Sequence, residues 1–314
     1  MTEINVQKVI SEFIPDEHGE IKEIGNKEGN SRVFSIGDNY ILRIGGKENR
    51  YVIEHEFIKL AQKNGVKTPR LIAANEDLDK FPFAFSIQEK LAGDSLDKLS
   101  ESTWPNIFIE VGTELAKLYT IKMEGFGPID IDRFNQNKEL VGGFATWRDF
   151  VRSLFTKRKT EVLKKIEAEK ADNFRASKLT LDQIDKLVRI GEKASEIDEK
   201  ITNANFDLNE SRMLHGDLQR MNFIVSSNHL SGIIDFEHVL VGDPLFDISV
   251  ASVMPDGELH KELLDKSGVK MDKDRFHLYR LLISFGKIYT RYVKKDYLHE
   301  SSEILDFVLE ELGK

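Results

Sequence analysis

Leu214-His215-Gly216-Asp217-Leu218-Gln219-Arg220-Met221-Asn222, followed by Ile233-Ile234-Asp235-Phe236-Glu237, decides how this 314-residue chain is read. Phe223-Ile224-Val225 and Gly232-Ile233-Ile234 are short apolar runs separated by polar turns, so the spacing predicts a small β-ribbon between Met213 and Ile234. Leu218, Phe223, Ile224, Ile233 and Ile234 would anchor such strands in a core. Asp217, Asn222 and Asp235, set beside those anchors, would then face a cleft: two carboxylates and an amide.

Outward from the ribbon, the two ends of the chain differ. Residues 1–90 mix a helix over Ile4 to Phe13 with β-like runs at Ile21 to Ile24, Arg32 to Ile36, Tyr40 to Ile44, Arg70 to Ala73 and Phe83 to Gln88. A second helical pattern covers Lys47 to Gln62 and stops at Gly65. Glu89-Lys90-Leu91-Ala92-Gly93-Asp94 breaks the pattern and is the expected boundary between residues 1–90 and 91–314. Beyond it, helical periodicity covers Thr103 to Thr120, Thr146 to Lys170, Leu179 to Ile201, Leu259 to Lys266, Asp272 to Val293 and Ser301 to Leu312. The ribbon is expected to be the one later interruption. The Lys/Glu-rich stretch Lys157 to Lys170 reads as a solvated helix face.

Composition limits the chemistry. The length suits about two domains, and 45 basic against 54 acidic side chains leave a net charge of -9, which disfavours a nucleic-acid partner. Cysteine is absent, excluding disulfides, thiolate metal sites and cysteine nucleophiles. MTEINVQKVISEF lacks the basic start and apolar run of a signal peptide, and no stretch approaches the roughly 18 apolar residues of a membrane span. The expectation is a cytoplasmic protein with no membrane partner. The remaining histidines show no zinc-ligand spacing, and no G-x-S-x-G elbow occurs.

Residues 215–222 fit the pattern H-x-D-L-x-x-x-N of kinase catalytic loops, and Asp235-Phe236 fits the D-F pair that follows it. Phosphoryl transfer needs those types. A carboxylate such as Asp217 orients the attacking hydroxyl and takes its proton. Magnesium prefers oxygen ligands and keeps several waters, so one amide oxygen and one carboxylate, Asn222 and Asp235, suffice beside nucleotide phosphates.

HGDLQRMN followed by IIDFEHVLVGDPLFDIS resembles the aminoglycoside phosphotransferases and related small-molecule kinases. Gly125-Phe126-Gly127-Pro128 with Thr146-Trp147-Arg148-Asp149-Phe150 is similar to a paired element in members that include hygromycin B phosphotransferase. The resemblance implies an α+β, two-lobed, protein-kinase-like fold, with a β-rich lobe over residues 1–90 and a mainly helical lobe over 91–314. It implies Asp217 as catalytic base, His215 beside it as a brace of the loop, and Asn222 and Asp235 as holders of Mg2+. Asp247 would fasten the catalytic loop, or else be a plain helix-start carboxylate.

For the nucleotide, ATP or GTP, the resemblance points to Asn30 and Ser31 in the loop Gly25 to Ser31, which also reads as an ordinary hairpin. Arg43 stands where the phosphate-pairing lysine is expected, retaining the charge with a different geometry. Glu56 is its expected ion-pair partner, with Glu54 the alternative because only one can face the cleft. Glu89 to Leu91, with Glu89 and Leu91 as the contacts, would form the hinge to the base. Glu237, His238 and Asp243 flank the ribbon where a small hydroxyl-bearing acceptor would lie. The acidic balance leans toward a cationic aminoglycoside and hence antibiotic resistance. Sugars, choline-like alcohols, homoserine and fructosamines remain eligible acceptors, and Arg43 with Glu237 leaves a nucleotide-binding pseudokinase as the other alternative.

Overall fold

A computed structural model describes residues 3–24, 31–45, 50–75, 80–81, 83–253, 260–295, 297–298 and 303–313. Helix α1 (Glu3–Phe13) precedes β1 (Ile21–Glu23), β2 (Ser31–Ile36), β3 (Tyr40–Gly45), α2 (Arg50–Lys63), β4 (Leu71–Asn75) and β5 (Phe85–Glu89). The strands form one antiparallel sheet in the order β1-β2-β3-β5-β4. α1 lays Val6, Val9 and Ile10 against Phe34, Ile36, Leu42, Ile44, Phe85 and Ile87 of the sheet. Burying each such side chain stabilises by about 1.5–3 kcal/mol, and Phe81 packs edge-on against Phe85 with centroids 5.2 Å apart. α2 faces the other way: Ile53, Phe57, Ile58 and Ala61 belong to the larger core built by the rest of the chain.

After β5 come β6 (Asp94–Ser95), α3 (Trp104–Leu118), β7 (Lys122–Met123), β8 (Phe126–Ile129), α4 (Ile131–Asn137), β9 (Gly142–Phe144), α5 (Trp147–Ala171), α6 (Leu181–Glu192) and α7 (Ala194–Asn203). The chain continues through β10 (Ser211–Leu214), β11 (Phe223–Ser226), β12 (His229–Ile233), β13 (Leu240–Gly242), α8 (Pro244–Ser252), α9 (His260–Ser267), α10 (Lys273–Ile288), a π-helical turn Tyr289–Lys294 and α11 (Glu303–Leu312). The fold class is α+β and kinase-like, an N-terminal antiparallel sheet followed by a largely helical part.

The expected ribbon is β11 and β12, with β6 added at its edge. Gly93 makes that addition feasible: its φ is +107°, and a Cβ would come 1.9 Å from the Val225 carbonyl oxygen.

Three expectations are corrected. The ribbon is not the one later β segment, because β7, β10, β13, β8 and β9 form a further five-stranded sheet. Its strands span two to four residues, too short for a period of two to register. Leu179 to Ile201 is two helices, α6 ending at Glu192 and α7 starting at Ala194. Finally, Lys157 to Lys170 is not wholly a solvated face, for Val162 and Ile166 are buried and Arg158 lies across α10.

Candidate active site

The loop between β10 and β11 is closed by its own backbone. Gln219 N–H donates to the Asp217 carbonyl at 2.8 Å, Asn222 N–H to that of Gln219 at 2.9 Å, and Ile234 N–H to that of Asn222 at 2.9 Å. The Asn222 amide nitrogen donates to the Asp217 carbonyl at 2.9 Å and to its carboxylate at 3.2 Å. With the nitrogen turned into the loop, the amide oxygen is the donor atom left for a hard cation. Gln219 also donates to the Asp217 carboxylate. Asp217 and Asp235 are half-buried, so both are open to a ligand.

His215, fully buried, braces this loop. Its Nδ1 accepts the Asp217 N–H at 3.2 Å, and its Nε2 lies 2.9 Å from the Ile234 carbonyl, to which it donates. One imidazole thereby ties the residue before Asp235 to the backbone of Asp217. Asp235 has left-handed backbone angles, φ 65° and ψ 61°, which cost a non-glycine residue about 1–2 kcal/mol.

Asp247 fastens the loop from beneath. Its Oδ2 accepts the His215 N–H at 2.7 Å and its Oδ1 the Gly216 N–H at 2.7 Å. Tyr119 donates its hydroxyl to Oδ2 at 3.3 Å. Burial pushes the Asp247 carboxyl above its usual range, against the pull of the neighbouring His215 and those N–H groups. Gly216 is required at its position: its φ is +82°, and a Cβ would come 1.9 Å from the His238 carbonyl oxygen.

On the N-terminal sheet, Arg43 of β3 points down to the ribbon. Its Nη1 is held by both carboxylate oxygens of Glu54, at 2.7 and 2.8 Å. Its Nη2 reaches Asp235 Oδ1 at 3.1 Å and also Glu237. Burial opposes the charge, yet the carboxylates of Glu54 and Asp235 raise the Arg43 pKa above its ordinary value. Glu54 is therefore the partner and Glu56 is not. Glu56 pairs with Lys59 on the outer face of α2, because two residues apart on a helix point in opposed directions.

Asn30 and the loop Gly25 to Asn30 lie outside the described residues. Ser31 opens β2, and its hydroxyl accepts from Tyr51 at 2.8 Å. Glu89 and Leu91 stand where β5 leaves the sheet; Glu89 N–H donates to the Arg70 carbonyl at 2.8 Å and Lys90 N–H to that of Asn39 at 2.8 Å.

The expected acceptor contacts fare differently. His238 is exposed, its carbonyl against Gly216 of the loop. Glu237 is engaged by Arg43 of β3. Asp243 faces no cleft: it is buried, accepting from Leu245 N–H at 3.0 Å, Arg275 at 3.0 Å and the Tyr279 hydroxyl at 2.7 Å. It caps α8, the helix that carries Asp247.

Residues 20–277 match the phosphotransferase enzyme family. The chain belongs to that family. No curated protein matches it, but solved phosphotransferases share its fold along nearly the whole length. A thermostable mutant of the aminoglycoside phosphotransferase APH(4)-Ia, in ternary complex with ADP and hygromycin B, aligns with a TM-score of 0.69 at 16% identity, over 99% of each chain. APH(2")-IIa in its streptomycin and ATP complex aligns with a TM-score of 0.66 at 19% identity, again over 99% of each chain. ADP-bound APH(2'')-Ib aligns with a TM-score of 0.62 at 18% identity, over 99% and 97%. These likenesses establish the fold of this phosphotransferase.

Magnesium and a nucleotide are implied by the family. The donor set fits magnesium: an amide oxygen on Asn222 and a carboxylate on Asp235 are hard oxygen ligands, brought to one place by the ribbon. No group of three or more histidine, cysteine, aspartate or glutamate side chains suited to another metal occurs among the described residues.

Two neighbours of the loop escaped the sequence: Tyr119 under Asp247, and Lys287. The last lies near enough to Asp217 and Arg291 for both charges to act on it. A tyrosine and a lysine inside helical periods carry no local signal. Only the fold brings them to the site.

Proposed function

We propose that the chain transfers the γ-phosphoryl group of ATP to a hydroxyl of a small molecule. The observation that carries this reading is the convergence of Asp217, Asn222, Asp235 and Arg43 on one cleft in a member of the phosphotransferase enzyme family. Residues 1–90 would cover the nucleotide, with Ser31, Arg43 and the hinge residues Glu89 and Leu91 as contacts, and residues 91–314 would carry the catalytic loop. Solved neighbours hold ADP or ATP, which favours an adenine nucleotide over GTP.

In this mechanism Asp217 orients the acceptor hydroxyl and takes its proton as the O–P bond forms. Asn222 and Asp235 would hold Mg2+, which neutralises charge on the phosphates when bound. Arg43, fixed by Glu54, supplies a permanent cation beside them. Asp247 and His215 act through the backbone, as positioning residues.

The solved neighbours named above bind hygromycin B and streptomycin, and an aminoglycoside acceptor with a role in antibiotic resistance is one reading. A metabolic alcohol is the second, and a specific observation favours it. Glu237 and Asp243, the acidic groups that would receive a cationic acceptor, are already engaged by Arg43, Arg275 and Tyr279. The test is magnesium-dependent ADP release in the presence of aminoglycosides and cellular alcohols, with mass spectrometry for one added phosphoryl group. Equal rates for wild type and Asp217→Ala would overturn the mechanism.

A further inference from the structure

Two residues depart from the kinase pattern, and the structure brings them together. That pattern puts a lysine on the third strand and a glycine after Asp-Phe, where this chain has Arg43 and Glu237. Arg43 Nη2 donates to Glu237 Oε2 at 2.5 Å and to Asp235 Oδ1 at 3.1 Å, while Nη1 donates to both oxygens of Glu54. The guanidinium also lies over the Tyr51 ring, 5.3 Å from its centroid, and Tyr51 and Glu54 share α2 one turn apart. Four side chains therefore fix one plane.

The local backbone explains the pairing. Asp235 is left-handed and the 3-10 turn Phe236–His238 follows it directly, so residues 235 and 237 reach the same nitrogen. Phe236 between them is fully buried against His215, with ring centroids 4.6 Å apart. The two carboxylates differ in exposure: the Glu237 side chain is 8% exposed and that of Asp235 is 35% exposed. Glu237 is committed to the arginine, whereas Asp235 stays open to a ligand.

A lysine ammonium is a single point that Glu54 alone can hold, but a guanidinium is a rigid fork with a second nitrogen to satisfy. With no carboxylate at 237, Asp235 would have to serve both that nitrogen and magnesium with one charge, and stranding a buried charge is costly. Glu237 removes the conflict. When Asp235 turns to the cation, Nη2 keeps a carboxylate and the guanidinium stays where Glu54 and Tyr51 set it.

We propose that Glu237 is the positioning residue of Arg43, holding the second guanidinium nitrogen so that Asp235 can take magnesium while the arginine keeps its place beside the phosphates. This rests on the phosphotransferase reading above and adds a residue to that same site. Arginine at 43 and glutamate at 237 are one departure in two places, each needing the other.

The test is a double-mutant cycle on the full chain, wild type, Arg43→Lys, Glu237→Gln and both together, read by calorimetric titration with ADP in excess Mg2+. Glu237→Gln should weaken binding about tenfold or more beside Arg43, and less than about threefold beside Lys at that position. Glu237→Asp, which keeps the charge on a shorter arm, should fall between wild type and Glu237→Gln. Equal weakening in the two backgrounds overturns the proposal, because it is what a magnesium ligand indifferent to Arg43 would show. Unchanged binding by Glu237→Gln beside Arg43 overturns it as well. Urea unfolding establishes that each variant is folded, and Arg43→Gln supplies the second background if Arg43→Lys is not. The two failures are distinguishable: independent effects on Mg-ADP binding overturn this proposal alone, whereas coupled effects without Asp217-dependent ADP release overturn the phosphotransferase reading alone.

Discussion

Glu54 gives both carboxylate oxygens to a single nitrogen of Arg43, at 2.7 and 2.8 Å, with Glu54 fully buried and Arg43 8% exposed. The pair spans α2 and β3 and leaves the second guanidinium nitrogen for Asp235. It joins the helix that packs into the larger core to the sheet that forms the smaller one.

Breaking that pair from one side should be costly. Glu54→Gln leaves Arg43 short of one buried counter-charge, and loss of a partner from a buried pair costs about 3–5 kcal/mol. Glu56→Gln, removing an exposed contact to Lys59, should change stability by less than about 0.5 kcal/mol. Urea unfolding of the two variants checks this, and equal losses would return Glu56 to the role.

Asp217→Asn keeps the shape and removes the base. The rate of phosphoryl transfer should fall by about 10²–10⁴, while nucleotide affinity, measured by calorimetry, stays close to that of the wild type. A residual rate within about threefold of wild type would show that the hydroxyl needs no carboxylate there.

Chelation should stop turnover and added Mg2+ should restore it. Asp235→Asn should raise the magnesium concentration for half-maximal rate by about tenfold or more, since an amide is a weaker ligand for a hard cation. An unchanged requirement would take Asp235 out of the metal site.

What the sequence revealed was whatever depended on short spacing. Asp217 and Asn222 are closed by hydrogen bonds within one loop, so their pattern survives without knowledge of the rest. The choice between Glu54 and Glu56 depended on which face of α2 turns inward. That face carries Glu54 and His55 beside Ile53 and Phe57, so polarity misleads about burial. Asp243 lies in a turn before a proline, a surface signature, but Tyr279 and Arg275 arrive from α10 to bury it. Lys287 shows the limit most clearly. On a helix it reads as an ordinary solvated lysine, and only the packing of α10 sets it near Asp217.

Asp247 supplies two acceptors to two buried N–H groups. Asp247→Ala strands both and the Tyr119 hydroxyl, each at about 1–3 kcal/mol, and should abolish activity with much of the stability. Asp247→Asn retains one acceptor and should lose less in urea unfolding. Tyr119→Phe removes only the 3.3 Å contact and should cost about 1 kcal/mol. Reversal of that order would mean that Asp247 is a plain helix-start carboxylate.

His55 gives the fold a pH dependence of its own. It is buried behind β5, with Nε2 3.0 Å from the Ser86 hydroxyl. Burial pushes its pKa down to about 4, helped by the positive charges of Lys59 and Arg43. In the unfolded chain it titrates near 6.5, so between the two values the unfolded state binds the extra proton. Its contribution is therefore complete above about pH 6.5 and declines as pH falls toward 4, by about 2–4 kcal/mol in total. His55→Asn can still bond Ser86 but has no proton to gain. The wild type should lose stability faster than this variant between pH 6.5 and 4 in urea unfolding, and run parallel to it above pH 7. Parallel behaviour across the whole range would mean that His55 takes up its proton without leaving the fold.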